Sequence, residues 1–261
     1  MKYLVCLLLI AYSSFVLGAE TGPIVFKTLL VIRSQTTIPP YGSFPGINKT
    51  MSPEDISRVS ETYHHLAAQW VSSVTSEKVL WQTEIRISKV PLSPSGTCQA
   101  DGYRVLPKDL DPDLSHISQK QYDSVFFYVD LRDAQNTSVG CFAGDTFPKN
   151  TFGPTGISII YSDRFDEQYW RTQTFIHEWG HQLTAFYTQF GVPLPYCGKN
   201  IPPIHCAPYY NYQPDPNSPP GLKQWSQWLT DFYKGQISDP RRGYVGLGPR
   251  AWIHGTFLAP Q

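Results

Sequence analysis

Four stretches of the chain combine apolar and β-branched residues in the manner of buried or half-buried strands. They are residues 24–33, 79–88, 124–131 and 156–162. The third has apolar residues on both faces, which is typical of a central strand. The pattern predicts a mixed sheet built from these four strands.

Three stretches repeat apolar residues at three- or four-residue steps and predict helices over residues 52–74, 166–190 and 221–235. Ser52 is a suitable N-cap for the first of them, and proline follows it. The second can begin at Asp163 or Asp166 and end at Gly191, a residue type that commonly terminates helices. Helices combined with a mixed sheet place the chain in the α+β class.

The rest of the chain predicts loops. Residues 91–121 are irregular apart from a short helical turn near Asp113, and residues 132–155 form a loop. Residues 192–220 are rich in proline, and the tail after the last helix is coil. We therefore divide the mature chain into an N-terminal subdomain, residues 19–191, and a C-terminal subdomain, residues 192–261.

The first 18 residues have a short basic start, an apolar run and small residues before Ala19, which predicts a cleaved signal peptide. No later segment approaches twenty consecutive apolar residues, so we expect a secreted protein without a membrane anchor. Formal net charge is zero and the chain has no basic block. This charge pattern argues against nucleic acid as a partner. We expect a monomer.

Cysteine usage agrees with export. Four cysteines remain after residue 18, an even number that suits an oxidising compartment. Of the three possible pairings we favour Cys98–Cys141 and Cys197–Cys206, since the second closes a short proline-rich loop. Residues 48–50 and 136–138 match the pattern for N-glycosylation.

The second predicted helix contains the sequence HEWGH, residues 177–181. At 3.6 residues per turn His177 and His181 lie on one face, one turn apart, so both imidazoles can reach one ion. Glu178 points about 100° around the helix and is placed to act as a general base on water at the metal. Gly180 lies beside the ligands and lets another segment approach closely. The motif predicts a catalytic zinc site.

The motif resembles that of the zincin metallopeptidases, as does the order of elements before it, over about residues 24–190. The resemblance implies a zincin-like mixed sheet with an active-site helix. It also implies that the strand before this helix, residues 156–162, is an edge strand that pairs with extended substrate. The chain departs from two zincin patterns. Thr184 and Tyr187 replace the glycine and histidine of the extended motif, and no glutamate follows Glu178 to serve as a third ligand.

The third ligand must therefore be an aspartate or a histidine beyond the active-site helix. We prefer Asp231, because the last helix is amphipathic and a rigid helix positions a ligand better than a loop. His205 is the second choice and Asp215 the third. Asp239 and His254 complete the candidates, and Tyr209, Tyr210 or Tyr212 could stabilise an oxyanion.

These residues predict a secreted zinc-dependent endopeptidase that acts on protein or peptide substrates, with Zn²⁺ as its cofactor. Two alternatives remain open. The first is a secreted binding protein that keeps the scaffold without turnover, against which the intact Glu178 argues. The second is a zinc hydrolase of a non-peptide bond, which uses the same metal chemistry.

Overall fold

The computed structural model describes residues 22–40, 46–98, 102–118, 120–133, 139–141, 144–147, 156–161, 168–216 and 225–260. Three predictions lie outside these ranges: the signal peptide, the glycosylation pattern at residues 136–138 and the helix start at Asp163 or Asp166. In the described part of the chain, no helix has the length and apolar character needed to cross a bilayer.

A five-stranded mixed sheet organises the N-terminal part of the protein. Its strands are β1 (Ile24–Arg33), β4 (Val79–Ser88), β7 (Ser124–Val129), β8 (Gly144–Phe147) and β9 (Ile157–Tyr161), in the order β4-β1-β7-β9-β8. The pairs β1–β4, β1–β7 and β7–β9 are parallel, whereas β8 runs antiparallel to β9. All four predicted strands are present and pair in parallel with one another. The sheet is mixed, as predicted, because of β8.

Strand β8 corrects one prediction. We expected residues 156–162 to form the edge of the sheet, but β9 lies between β7 and β8. The edge is formed by β8, within residues 132–155 that we assigned to a loop. A four-residue strand bounded by glycine and polar residues is too short to show an alternating pattern.

Short elements surround the sheet, and the sequence pattern missed most of them. They comprise the hairpin β2 (Gln35–Ile38) with β3 (Ile47–Thr50), the hairpin β5 (Gly96–Thr97) with β6 (Tyr103–Arg104), and the helix α3 (Asp111–Leu114). The tail, predicted as coil, forms β10 (Ile237–Asp239), β11 (Gly243–Val245) and α6 (Gly248–Trp252). The predicted turn near Asp113 corresponds to α3.

The two long helices pack on one face of the sheet. The first comprises α1 (Pro53–Glu61), a π-helical turn (Thr62–Ala67) and α2 (Ala68–Val74), and the hydroxyl of Ser52 caps it by accepting a hydrogen bond from the Asp55 amide. The second is α4 (Gln168–Tyr187), which leads through a 3₁₀ turn to Gly191 in the left-handed conformation. Both helix predictions are confirmed within a few residues.

Alternate side chains of β1 serve two different cores. Phe26 and Leu30 belong to the cluster under the helices, while Leu29 and Val31 belong to the cluster on the other face. The helix α5 (Ser226–Lys234) contributes to the first cluster, together with α4 and the proline-rich loop. Residues from both sides of the predicted boundary at residue 191 therefore share one core. The boundary itself stays a prediction.

Two disulfides join Cys98 to Cys141 and Cys197 to Cys206. Both predicted pairings are confirmed. The second closes a loop of nine residues within the proline-rich segment and fixes the part of the chain that faces α4.

Candidate metal centre

Helix α4 presents two histidines to one cavity. The rings of His177 and His181 lie one turn apart with their centroids 5.0 Å from each other. The opposite side of the helix is buried, because Phe175, Ile176 and Trp179 pack into the core with at most 1% of their surface exposed. The burial of this face leaves the helix little freedom to rotate and holds both imidazoles toward the cavity.

A third histidine, His205, approaches from the proline-rich loop. Its Nε2 atom lies 2.9 Å from Nε2 of His177, and its ring centroid lies 4.8 Å from that of His181. One nitrogen from each of the three rings lies within 4.8 Å of the other two. The chain therefore contains a possible metal-binding triad in which two ligands come from a helix and one from a loop.

Several contacts bring His205 to this position. The Cys197–Cys206 disulfide ties the residue next to it, and the indole nitrogen of Trp228 on α5 donates a 2.7 Å hydrogen bond to the carbonyl of Ile204. A Cβ atom added at Gly180 would lie only 2.9 Å from the end of the Ile204 side chain. The glycine of the motif thus admits the loop that carries His205, and the hydroxyl of Tyr233 on helix α5 lies next nearest at 3.3 Å.

The structure does not bring Asp231 to the histidine pair. Its carboxylate accepts hydrogen bonds from the hydroxyl of Tyr212 at 2.8 Å and from the amide of Gln227 at 2.9 Å. Helix α5 buries Trp228 and Phe232 in the core, while Asp231 faces those two polar partners. The possible triad contains His205, our second choice, because the braced loop lies closer to the histidine pair than Asp231 does.

The remaining candidates are occupied elsewhere. Asp215 accepts a hydrogen bond from the hydroxyl of Ser226, and the ring of His254 stacks on Phe190. Asp239 binds Arg242. We proposed three tyrosines for the oxyanion: Tyr209, Tyr210 and Tyr212. None of them is among the described residues that line the cavity.

Burial sets the protonation of the three imidazoles. It lowers the pKa of His177 well below its usual value, with smaller contributions from His181 and His205. Burial, followed by the neighbouring His205, lowers the pKa of His181 to about 3. Burial also lowers the pKa of His205. All three rings are therefore neutral near pH 7, which is the form that offers a lone pair to a metal.

Glu178 is buried beside the triad, with 5% of its surface exposed. The hydroxyl of Thr146 on β8 donates a 2.6 Å hydrogen bond to its Oε2 atom. Burial raises the pKa of Glu178 to about 8, against the opposing effect of the Thr146 hydrogen bond and with a small contribution from Asp145. The motif predicted Glu178 but not its partners Thr146 and Asp145, because β8 has no recognisable sequence pattern.

The triad and Glu178 open into a cavity of about 880 Å³. Gly144, Asp145 and Thr146 of β8 form one wall. The opposite wall is mostly apolar and comes from the proline-rich loop and α5: Pro202, Pro203, Ile204, Pro208, Trp225, Trp228 and Leu229. The cavity has the size of a site for a small molecule or for a few residues of a peptide.

Comparison with known proteins adds little to this description. No family model and no curated protein matches the chain. A solved structure described as "Structure of a chaperone-substrate complex" matches 82% of this chain at 14% sequence identity, with a TM-score of 0.30. The chain covers 38% of that structure's chain. A likeness this distant carries no argument about fold or function.

Proposed function

We propose that the protein is a secreted, zinc-dependent endopeptidase of the zincin type. His177, His181 and His205 would hold the zinc ion, and Glu178 would act as general base. The observation that carries the proposal is the convergence of three neutral imidazoles in one cavity with a buried carboxylate on the adjacent helical residue.

The donor set suits zinc. Three nitrogen ligands with a fourth position open to substrate are characteristic of catalytic zinc sites. Tetrahedral zinc with bonds of about 2.0–2.1 Å would place two ligand nitrogens about 3.3 Å apart. Nε2 of His177 and Nε2 of His205 are 2.9 Å apart, within half an ångström of this spacing. The three ligand nitrogens lie within 4.8 Å of one another, so the imidazoles would close around the ion when it binds.

When bound, the ion would acidify a water molecule, polarise the scissile carbonyl and supply the positive charge that keeps Glu178 ionised. Glu178 would take one proton from the water as the water oxygen bonds to the carbonyl carbon. It would then pass that proton to the amide nitrogen as the carbon–nitrogen bond breaks. The products are a carboxylate and an amine.

The edge of the sheet supports a peptide as substrate. Strand β8 is the last strand of the sheet order, and three of its four residues line the cavity. An extended chain can add to an exposed edge through backbone hydrogen bonds, without requiring one particular side chain. Edge pairing next to Glu178 favours an endopeptidase over a hydrolase of small non-peptide esters.

The two disulfides support export to an oxidising compartment. This agrees with the apolar start of the sequence.

A peptide library tests the proposed function. Protein purified with zinc should cleave internal bonds, lose activity after chelation and regain it when zinc is restored. Glu178→Gln should keep one zinc per chain and lose about 10²- to 10⁴-fold in kcat, because only the base is removed. A wild-type protein that holds zinc and cleaves no member of the library would instead favour a binding protein.

A further inference from the structure

A chain of hydrogen bonds leads away from Glu178 into the interior. Thr146 on β8 and Ser158 on β9 are opposite each other in the antiparallel pair, and their hydroxyl oxygens are 2.8 Å apart. Gln182 follows Glu178 by one helical turn, and its Nε2 atom donates a 2.7 Å hydrogen bond to the hydroxyl of Ser158. Ser158 and Gln182 are fully buried.

The direction of this chain follows from the number of protons available. An amide nitrogen only donates, so the hydroxyl of Ser158 accepts from Gln182 and is free to donate its own proton. Its nearer acceptor is the Thr146 hydroxyl at 2.8 Å, since the backbone carbonyl of Glu178 is 3.4 Å away. The hydroxyl of Thr146 then donates its single proton to Oε2 of Glu178, its closest acceptor at 2.6 Å. Every link therefore points toward the carboxylate, and such aligned hydrogen bonds strengthen one another.

The backbone of β8 confines the other carboxylate oxygen. A Cβ atom added at Gly144 would collide with Oε1 of Glu178 and would lie 2.7 Å from the carboxyl carbon. One oxygen of Glu178 is thus held by a hydroxyl and the other lies against a residue without a side chain. The strand fixes both the position and the rotation of the carboxylate.

Gln182 provides an independent indication of function. Its Oε1 atom is buried and has no hydrogen-bond partner among the described residues. An unsatisfied buried acceptor costs about 1–3 kcal/mol, which an apolar residue of similar size would avoid. Departures of this kind are expected at functional sites, where a side chain is needed for one of its atoms. Here the atom in use is Nε2.

We propose that Thr146, supported by Ser158 and Gln182, is a positioning residue that holds Glu178 in the orientation required for proton transfer. The inference rests on the proposed peptidase function. None of the three residues binds the metal or the reacting atoms in this account. Their effect is therefore expected in kcat, because Glu178 acts after the substrate has bound, and not in KM or metal content.

The test compares half-buried Thr146 with a second strand threonine. Thr146→Val removes the hydroxyl and keeps the shape, while Thr146→Ser keeps the hydroxyl. Thr28→Val is the control, because Thr28 is a fully buried strand residue whose hydroxyl accepts a hydrogen bond from Tyr63 at 2.6 Å, outside the cavity. Activity is measured well below the unfolding temperature of each protein.

We expect Thr146→Val to lose about 10- to 100-fold in kcat, with KM within about twofold and zinc at one per chain. Thr146→Ser should keep kcat within about threefold of wild type, and Thr28→Val within about twofold. Unchanged kcat in Thr146→Val, or an equal loss in Thr28→Val, overturns the proposal. So does loss of zinc from Thr146→Val.

Two further measurements keep the proposal testable. If Thr146→Val does not fold, Gly144→Ala is used in its place, because its added methyl group would displace the carboxylate of Glu178. An unchanged kcat in Gly144→Ala contradicts the proposal. The carboxyl ¹³C signal of Glu178, assigned with Glu178→Gln in zinc-free protein, should move in Thr146→Val and not in Thr28→Val. If this signal moves in a protein that cleaves no peptide, Thr146 positions Glu178 but the peptidase function is rejected. If the signal does not move, the positioning role of Thr146 is rejected.

Discussion

The possible metal-binding triad joins two regions that hold their histidines by different means. On α4 the spacing of His177 and His181 follows from the helical repeat and from a buried opposite face. On the proline-rich loop the position of His205 depends on a disulfide, a hydrogen bond from Trp228 and the absence of a side chain at Gly180. One region is ordered by its own backbone and the other by its contacts.

This difference has a consequence for mutation. A change in the loop's supports should move His205 while His177 and His181 stay in place, which turns a three-ligand site into a two-ligand site. Zinc affinity should then fall without loss of the fold. We expect the largest effect from removal of a disulfide that supports the loop, a smaller effect from removal of a hydrogen bond, and the smallest effect from pH.

Replacing Cys197 and Cys206 with serine should have the largest effect. Loss of a nine-residue cross-link is expected to destabilise the protein by about 2.5 kcal/mol, and zinc affinity should fall at least tenfold because the neighbour of His205 is released. Calorimetric unfolding and competition with a chromogenic chelator measure the two quantities.

The second disulfide supplies the control. Removing Cys98–Cys141, which spans 43 residues, should cost more stability, about 4 kcal/mol, and leave zinc affinity unchanged. Equal losses of zinc affinity in both variants would mean that general stability, rather than the loop, determines metal binding.

Trp228→Phe should have a smaller effect. It removes the donor to the buried carbonyl of Ile204, which costs about 1–3 kcal/mol of stability, and zinc affinity should fall a few fold. Trp252→Phe is the control, since Trp252 is also buried but packs on Tyr187. A loss of zinc affinity in Trp252→Phe that matches Trp228→Phe contradicts the role given to this hydrogen bond.

The smallest effect concerns pH and the α4 histidines. Burial lowers the pKa of His177 and His181 in the folded, zinc-free protein, whereas unfolded histidine titrates near pH 6.5. Below about pH 6.5 the unfolded chain binds protons that the folded chain does not, so stability falls with pH. Glu178, with a pKa of about 8, acts in the opposite sense between about pH 8 and 4.3, but it is one group against three histidines, since the pKa of His205 is lowered too.

Thermal unfolding of zinc-free protein between pH 7 and 5 tests this expectation. Wild type should lose stability on acidification more steeply than His181→Asn, which lacks one of the neutral histidines. Identical slopes for the two proteins would show that His181 titrates normally in the folded chain.

The same contrast explains how much could be predicted from the sequence. The long elements β1, β4 and α4 repeat their apolar residues over many positions, and their bounds were predicted closely. The Cys197–Cys206 pair was predicted because few pairings are possible and this one closes a short loop. These features depend on neighbouring residues in the sequence.

The sequence was least informative where distant contacts decide the structure. Strand β8 is short and is stabilised by pairing with β9, so nothing within its four residues distinguishes it from a loop. Asp231 was preferred over His205 because rigidity was attributed to helices alone. Gly180 and Cys206 were recognised as unusual, but only the packing of Ile204 shows that both serve the same loop.

The central claim is that His205, and not Asp231, completes the metal centre, and zinc stoichiometry with affinity in two alanine variants tests it most directly. His205→Ala should lose zinc on dialysis, with affinity reduced by at least about 100-fold, while Asp231→Ala keeps one zinc per chain with wild-type affinity. Circular dichroism checks that both remain folded. Retention of zinc by His205→Ala together with its loss from Asp231→Ala would contradict the account and return the third ligand to helix α5.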